Sequence, residues 1–150
     1  MKNVLHTSDI LNNRADWQNH YLKCENIKSD LAFYSKDLRF LQQLLDRYFD
    51  EMVKNEHLDE MRESIMRFQD LCYNCDHLKK SVKDQQSHLI DIIKVTASHD
   101  HKAILKEQRS IDNGSVLFVK EFKMVKKEML LIAEHVLQEE EDNESFIHRR

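Results

Sequence analysis

Trp17, Cys24, Leu31, Leu38, Leu45 and Met52 follow one another at intervals of seven residues, and Ile10 extends the series one step back. Ile27, Tyr34, Leu41 and Tyr48 form a second set three residues behind the first. Such spacing marks a helix that buries one stripe along its length. It predicts a first helix over residues 9–54, starting near Ser8 and Asp9, or at Asn13 with Asp16 as a capping-box analogue. Phe33 and Phe40, also seven apart, form a second apolar stripe beside Leu44. A two-stranded rod buries only a narrow seam, so the extra stripe points to a bundle with more than one neighbour.

Past Val53 the phase changes. The first heptad would place Asp59 and Arg62 in the seam, whereas the apolar residues are Leu58, Met61, Ile65, Phe68, Cys72 and Cys75. A turn at Lys54–His57, with Asn55 capping the next helix, explains the slip; a stutter in one continuous helix is the alternative. The second helix is expected over 56–112, through Val82, Leu89 and Ile93, with Leu78 and Ile92 broadening the face and Lys79 and Gln86 interrupting it. The apolar signal weakens around Thr96–His101, so this helix is a candidate for a break near residue 98, with Ser98 or Asp100 capping a separate short helix.

Asn113-Gly114-Ser115 reads as the clearest punctuation. Gly114 suits a left-handed residue after a helix end, and Ser115 suits the next N-cap. A last helix over 115–142 then carries Phe118, Phe122, Val125, Met129, Ile132 and Val136. The acidic run Glu139–Asp142 is expected to fray, because negative charge is unfavourable at a helix C-terminus. Residues 1–8 and 143–150 read as a flexible N-terminus and a tail. The expected fold is all-α: a single domain over 1–150, an elongated antiparallel bundle of three long helices, or four if the second is broken, with coiled-coil-like packing. The first two helices look longer than the last, which leaves seam uncovered and favours homo-oligomers, such as an antiparallel dimer completing a larger bundle.

Composition supports the class. The chain has 150 residues, no proline, one glycine, 33% charged and 41% hydrophobic residues, a mixture typical of long helices. A net charge of −4 argues against a dedicated nucleic-acid binder. No apolar run reaches the roughly 18 residues of a membrane span, and the first residues hold no signal-like core. The expected compartment is the cytoplasm, where an odd count of three cysteines fits reduced thiols.

Candidate chemistry is sparse. Among nine histidines, only His20 falls on a predicted seam. His99 and His101 are two apart and would chelate together only off a helix. Cys72-x-x-Cys75 followed by His77 lacks a second ligand pair for structural zinc and lies mid-helix, away from the helix start that activates redox thiols. The metal or thiol candidates are therefore His99, His101, Cys72, Cys75 and His77, set against surface histidines and core cysteines. One glycine cannot build a phosphate-binding loop, no cofactor is indicated, and the carboxylates read as solvated faces, as in the Glu63–Arg67 and Arg47–Glu51 spacings. Lys120, Lys123, Lys126 and Lys127 form one basic cluster; Lys79, Lys80 and Lys83 form another. The functional expectation is a non-enzymatic scaffold that binds other proteins. The alternatives are a metal- or redox-responsive bundle and an enzyme with a carboxylate or histidine site inside the bundle.

Overall fold

The protein is all-α, a bundle of three helices seen in a computed structural model. The structure describes the backbone of residues 2–54, 56, 58–94 and 100–148, and the side chains of 14–54, 56, 58–94 and 100–142. Helix α1 spans Lys2–Val53, α2 spans Leu58–Lys94 and α3 spans His101–His148.

The first seven-residue series is the buried stripe of α1: Trp17, Cys24, Leu31, Leu38, Leu45 and Met52 are all buried, with Leu41 and Tyr48 beside them. On α2 the buried residues are Met61, Phe68, Cys75, Val82 and Leu89, interleaved with Ser64, Leu71, Leu78, Gln85 and Ile92. These are two unbroken seven-residue series. Their next members are Thr96 and His99, both polar, so burial no longer rewards helix continuation there. Asp100 then caps α3: its Oδ1 accepts the Ala103 N–H at 3.2 Å, satisfying a donor that the first helical turn leaves open.

The chain therefore breaks where the weakening apolar signal offered an alternative end, with Asp100 as the cap, and not at the punctuation expected at Asn113–Ser115; the second helix ends at Lys94 rather than near 112. Gly114 is helical, with no positive φ, and Ile104, Ile111, Phe118 and Val125 continue the burial through it at steps of seven. A glycine inside a helix costs about 1 kcal/mol. Burying one Ile or Phe side chain returns about 1.5–3 kcal/mol, so the register overrides the local breaker. The acidic run also remains helical, because it lies within α3 and not at its end; His135 Nε2 and Glu139 pair one turn apart at 3.3 Å. The helices hold 52, 37 and 48 residues. The short helix is thus α2 and not the last. Asn55, His57 and Ser98 lie outside the described residues.

Contacts fall into two groups along the chain. In the first, Met1–Phe33 packs with Asp76–Val116. Arg14 Nη2 donates to the Ile93 carbonyl at 2.9 Å and Gln86 Nε2 to Glu25 Oε2 at 2.6 Å, so α1 and α2 run antiparallel there. The Trp17 ring meets His101 edge-on at 5.2 Å and Cys24 reaches Gln108, so α3 runs parallel to α1 there. In the second group, Tyr34–Cys75 packs with Leu117–Arg150. Tyr34 meets Phe118 edge-on and Phe122 at a tilt, with ring centroids 5.7 and 4.6 Å away. Lys126 Nζ reaches Asp37 at 2.9 Å. Arg67 turns away from Glu63, its neighbour one turn back, and joins Glu128 of α3 at 2.9 Å.

Gly114→Ala gives a direct test of the continuous third helix. The added Cβ would sit 3.5 Å from Leu78 Cδ1, ordinary van der Waals contact. The substitution should raise stability by about 0.5–1 kcal/mol in urea unfolding. A loss of stability would mean that Gly114 holds a conformation other than helix.

Candidate functional site

Two of the seam positions on α2 and α3 are glutamines, and they meet inside the first contact group. Gln85 is 1% and Gln108 2% exposed. Gln85 Nε2 donates to Gln108 Oε1 at 3.1 Å and to the Ile104 carbonyl at 3.0 Å. The same Gln108 oxygen lies 3.5 Å from Cys24 Sγ, whose S–H donates to it. Gln108 Nε2 in turn donates to Asp112 Oδ1 at 3.3 Å. One residue from each helix thus enters a polar layer in an otherwise apolar seam. Gln85 Oε1 is buried without a hydrogen-bond partner, a defect that normally costs about 1–3 kcal/mol. Apolar periodicity passed over both glutamines. The signal that finds them is spacing alone: Gln85 lies seven beyond Leu78, and Gln108 fourteen before Phe122.

This layer holds one titratable group. Burial pushes the Cys24 thiol up from its ordinary value; the Gln108 bond pulls the other way, and the nearby Asp112 and Glu25 carboxylates add to the rise. A thiol held protonated is a poor nucleophile. What the arrangement does well is fix register, because sliding any helix by one heptad step would bury these amides against apolar neighbours.

The residues singled out for chemistry are not gathered into a site. Cys75 is buried, with Sγ 3.5 Å from Ser35 Oγ. Cys72 is only half-buried, because the seam passes through Leu71; its expected place in the core is shifted by one residue. His77 and His101 are exposed on α2 and at the start of α3, and His101 packs on Trp17. His99 lies outside the described residues. Among the described residues, no group of three or more His, Cys, Asp or Glu side chains is placed to hold a metal ion. A groove of about 420 Å³ between α2 and α3 is lined by Asp84, His88, Asp100 and Glu107, and another of about 360 Å³ by Glu60, Ser64, Glu128 and His135.

The outer faces are the other unusual feature. Phe40 on α1, Met66 on α2 and Leu117, Met124 and Leu131 on α3 are each more than half exposed. Among the described residues no helix is long and apolar enough to cross a membrane. No family model matches the chain, and no curated protein or solved structure matches it significantly.

Two outcomes follow from the polar layer. Gln108→Ala should cost about 1–3 kcal/mol by stranding its partners, whereas Gln85→Leu combined with Gln108→Leu should be near neutral or stabilising in chemical denaturation. An additive loss in the double variant would remove the layer's assigned role.

The thiols give a second test. Cys72 should label first with a thiol reagent in the native state, and Cys24, at 0% exposure, only on unfolding. Because the folded pKa of Cys24 is raised, its contribution is complete below the ordinary thiol value and is lost as pH rises through the raised one. Cys24→Ala should flatten that alkaline fall in unfolding free energy.

Proposed function

We propose that this chain is a non-enzymatic helical scaffold, a module that binds other proteins through its outer helix faces. The observation that carries the reading is the exposure of large apolar side chains, Phe40, Met66, Leu117, Met124 and Leu131 among them, outside a seam already filled on every helix. Contiguous exposed apolar residues mark interaction surfaces, and Leu117, Met124 and Leu131 recur at steps of seven on α3. Burial of Cys75, one of the pair a thiol sensor would use, favours the scaffold over that alternative, and the odd cysteine count supports a reducing, cytoplasmic setting.

The test compares the native chain with Phe40→Gln and Met66→Gln. Under gentle lysis the native chain should migrate in a complex heavier than the monomer, and the variants should shift toward monomer while melting at the same temperature. Surface changes of this kind usually move stability by less than about 0.5 kcal/mol. Migration of the native chain at monomer mass, or a metal or small ligand retained in native mass spectrometry of untagged protein, would overturn the reading.

A further inference from the structure

Along the outer side of α3, Leu117, Met124 and Leu131 are 58%, 63% and 55% exposed. They lie seven apart, one turn pair above another, on one line of the helix. The first two are each followed by a lysine at the third position and a glutamate at the fourth: Lys120 and Glu121 after Leu117, Lys127 and Glu128 after Met124. Positions three and four onward flank a line on opposite sides, about 50° to either hand at 3.5 residues per turn. Over Leu117 and Met124 the stripe therefore has a lysine edge and a glutamate edge; past Leu131 the third position is Glu134 and the fourth His135. The glutamate edge is the one toward α2, as the Glu128–Arg67 pair shows.

That asymmetry selects a partner. In an antiparallel pairing of two such helices, each edge meets its own kind, lysine against lysine and glutamate against glutamate. In a parallel pairing about a two-fold axis along the helix, the lysine edge of one meets the glutamate edge of the other, at the same level, twice over. Like charges directly opposed are unfavourable, and opposite charges select pairing direction. We propose that the Leu117–Met124–Leu131 face binds a second copy of this chain, α3 against α3 in parallel register. This rests on the scaffold reading and names one partner for it.

Sedimentation equilibrium of the purified full-length chain tests the idea. A reversible dimer is expected, weakened about tenfold or more by Met124→Glu, a position too exposed for the change to threaten folding. Its dissociation constant should rise as salt goes from about 0.01 M to about 1 M, where the Debye length shrinks from about 30 Å to about 3 Å. Direction is read by disulfide trapping in a Cys72→Ser background. Leu117→Cys should cross-link to itself and Leu131→Cys to itself, and a mixture of the two should give no crossed product. A chain that stays monomeric, a crossed 117–131 product, or an association that tightens with salt would each overturn the proposal. If the purified chain is monomeric while the native chain still migrates in a heavier complex, the second copy is wrong and the scaffold reading stands; if both are monomeric, both fall.

Discussion

Burial of one seven-residue stripe on each of three helices is the constraint from which everything else in this molecule follows. Met61 to Leu89 on α2 and Ile104 to Val125 on α3 are laid out at the same interval as Trp17 to Met52 on α1, so side chains from all three helices meet in successive layers. With no proline and one glycine, little in the backbone competes with that demand. The single glycine is drawn into α3 because Ile111 and Phe118 on either side of it are buried.

Within such a seam, identity of layer is the difficulty. A uniform apolar stripe can slide by one heptad and still be buried. The Cys24–Gln85–Gln108 layer breaks that degeneracy, since its hydrogen bonds close only when the three residues are level. The unpartnered Gln85 oxygen shows that the layer is not optimised for stability. Its arrangement suits specification, as single polar positions do in heptad proteins generally.

That same layer explains what could be read from the residues and what could not. The α1 register was legible because, His20 apart, the seam positions from Trp17 to Met52 are apolar. On α2, Ser64 and Gln85 occupy the seam while Ile65 and Cys72 stand one position away, so a reading by hydropathy follows Ile65 and Cys72 and misplaces the face. On α3, Gln108 and Ser115 dilute the stripe on both sides of Gly114, and a local breaker then looks decisive. The polar residues that fix the layers are the ones that hide them. Leu117, Met124 and Leu131 lie off the face that the spacing assigns to the last helix, and their exposure is visible only in the structure.

The parallel placement of α1 and α3 also shapes how the chain reaches this state. Neighbouring helices meet close to their shared turns, as Gln85 and Ile104 do across 19 positions. The α1–α3 contacts have no such short route: Cys24 and Gln108 are 84 positions apart, Asp37 and Lys126 are 89 apart. Loop-closure entropy for these contacts must be met before they return anything. A two-helix hairpin can form from local sequence, but the seam between the first and third helices raises the contact order well above that of a simple hairpin. The α1–α3 seam is therefore the least local part of the core.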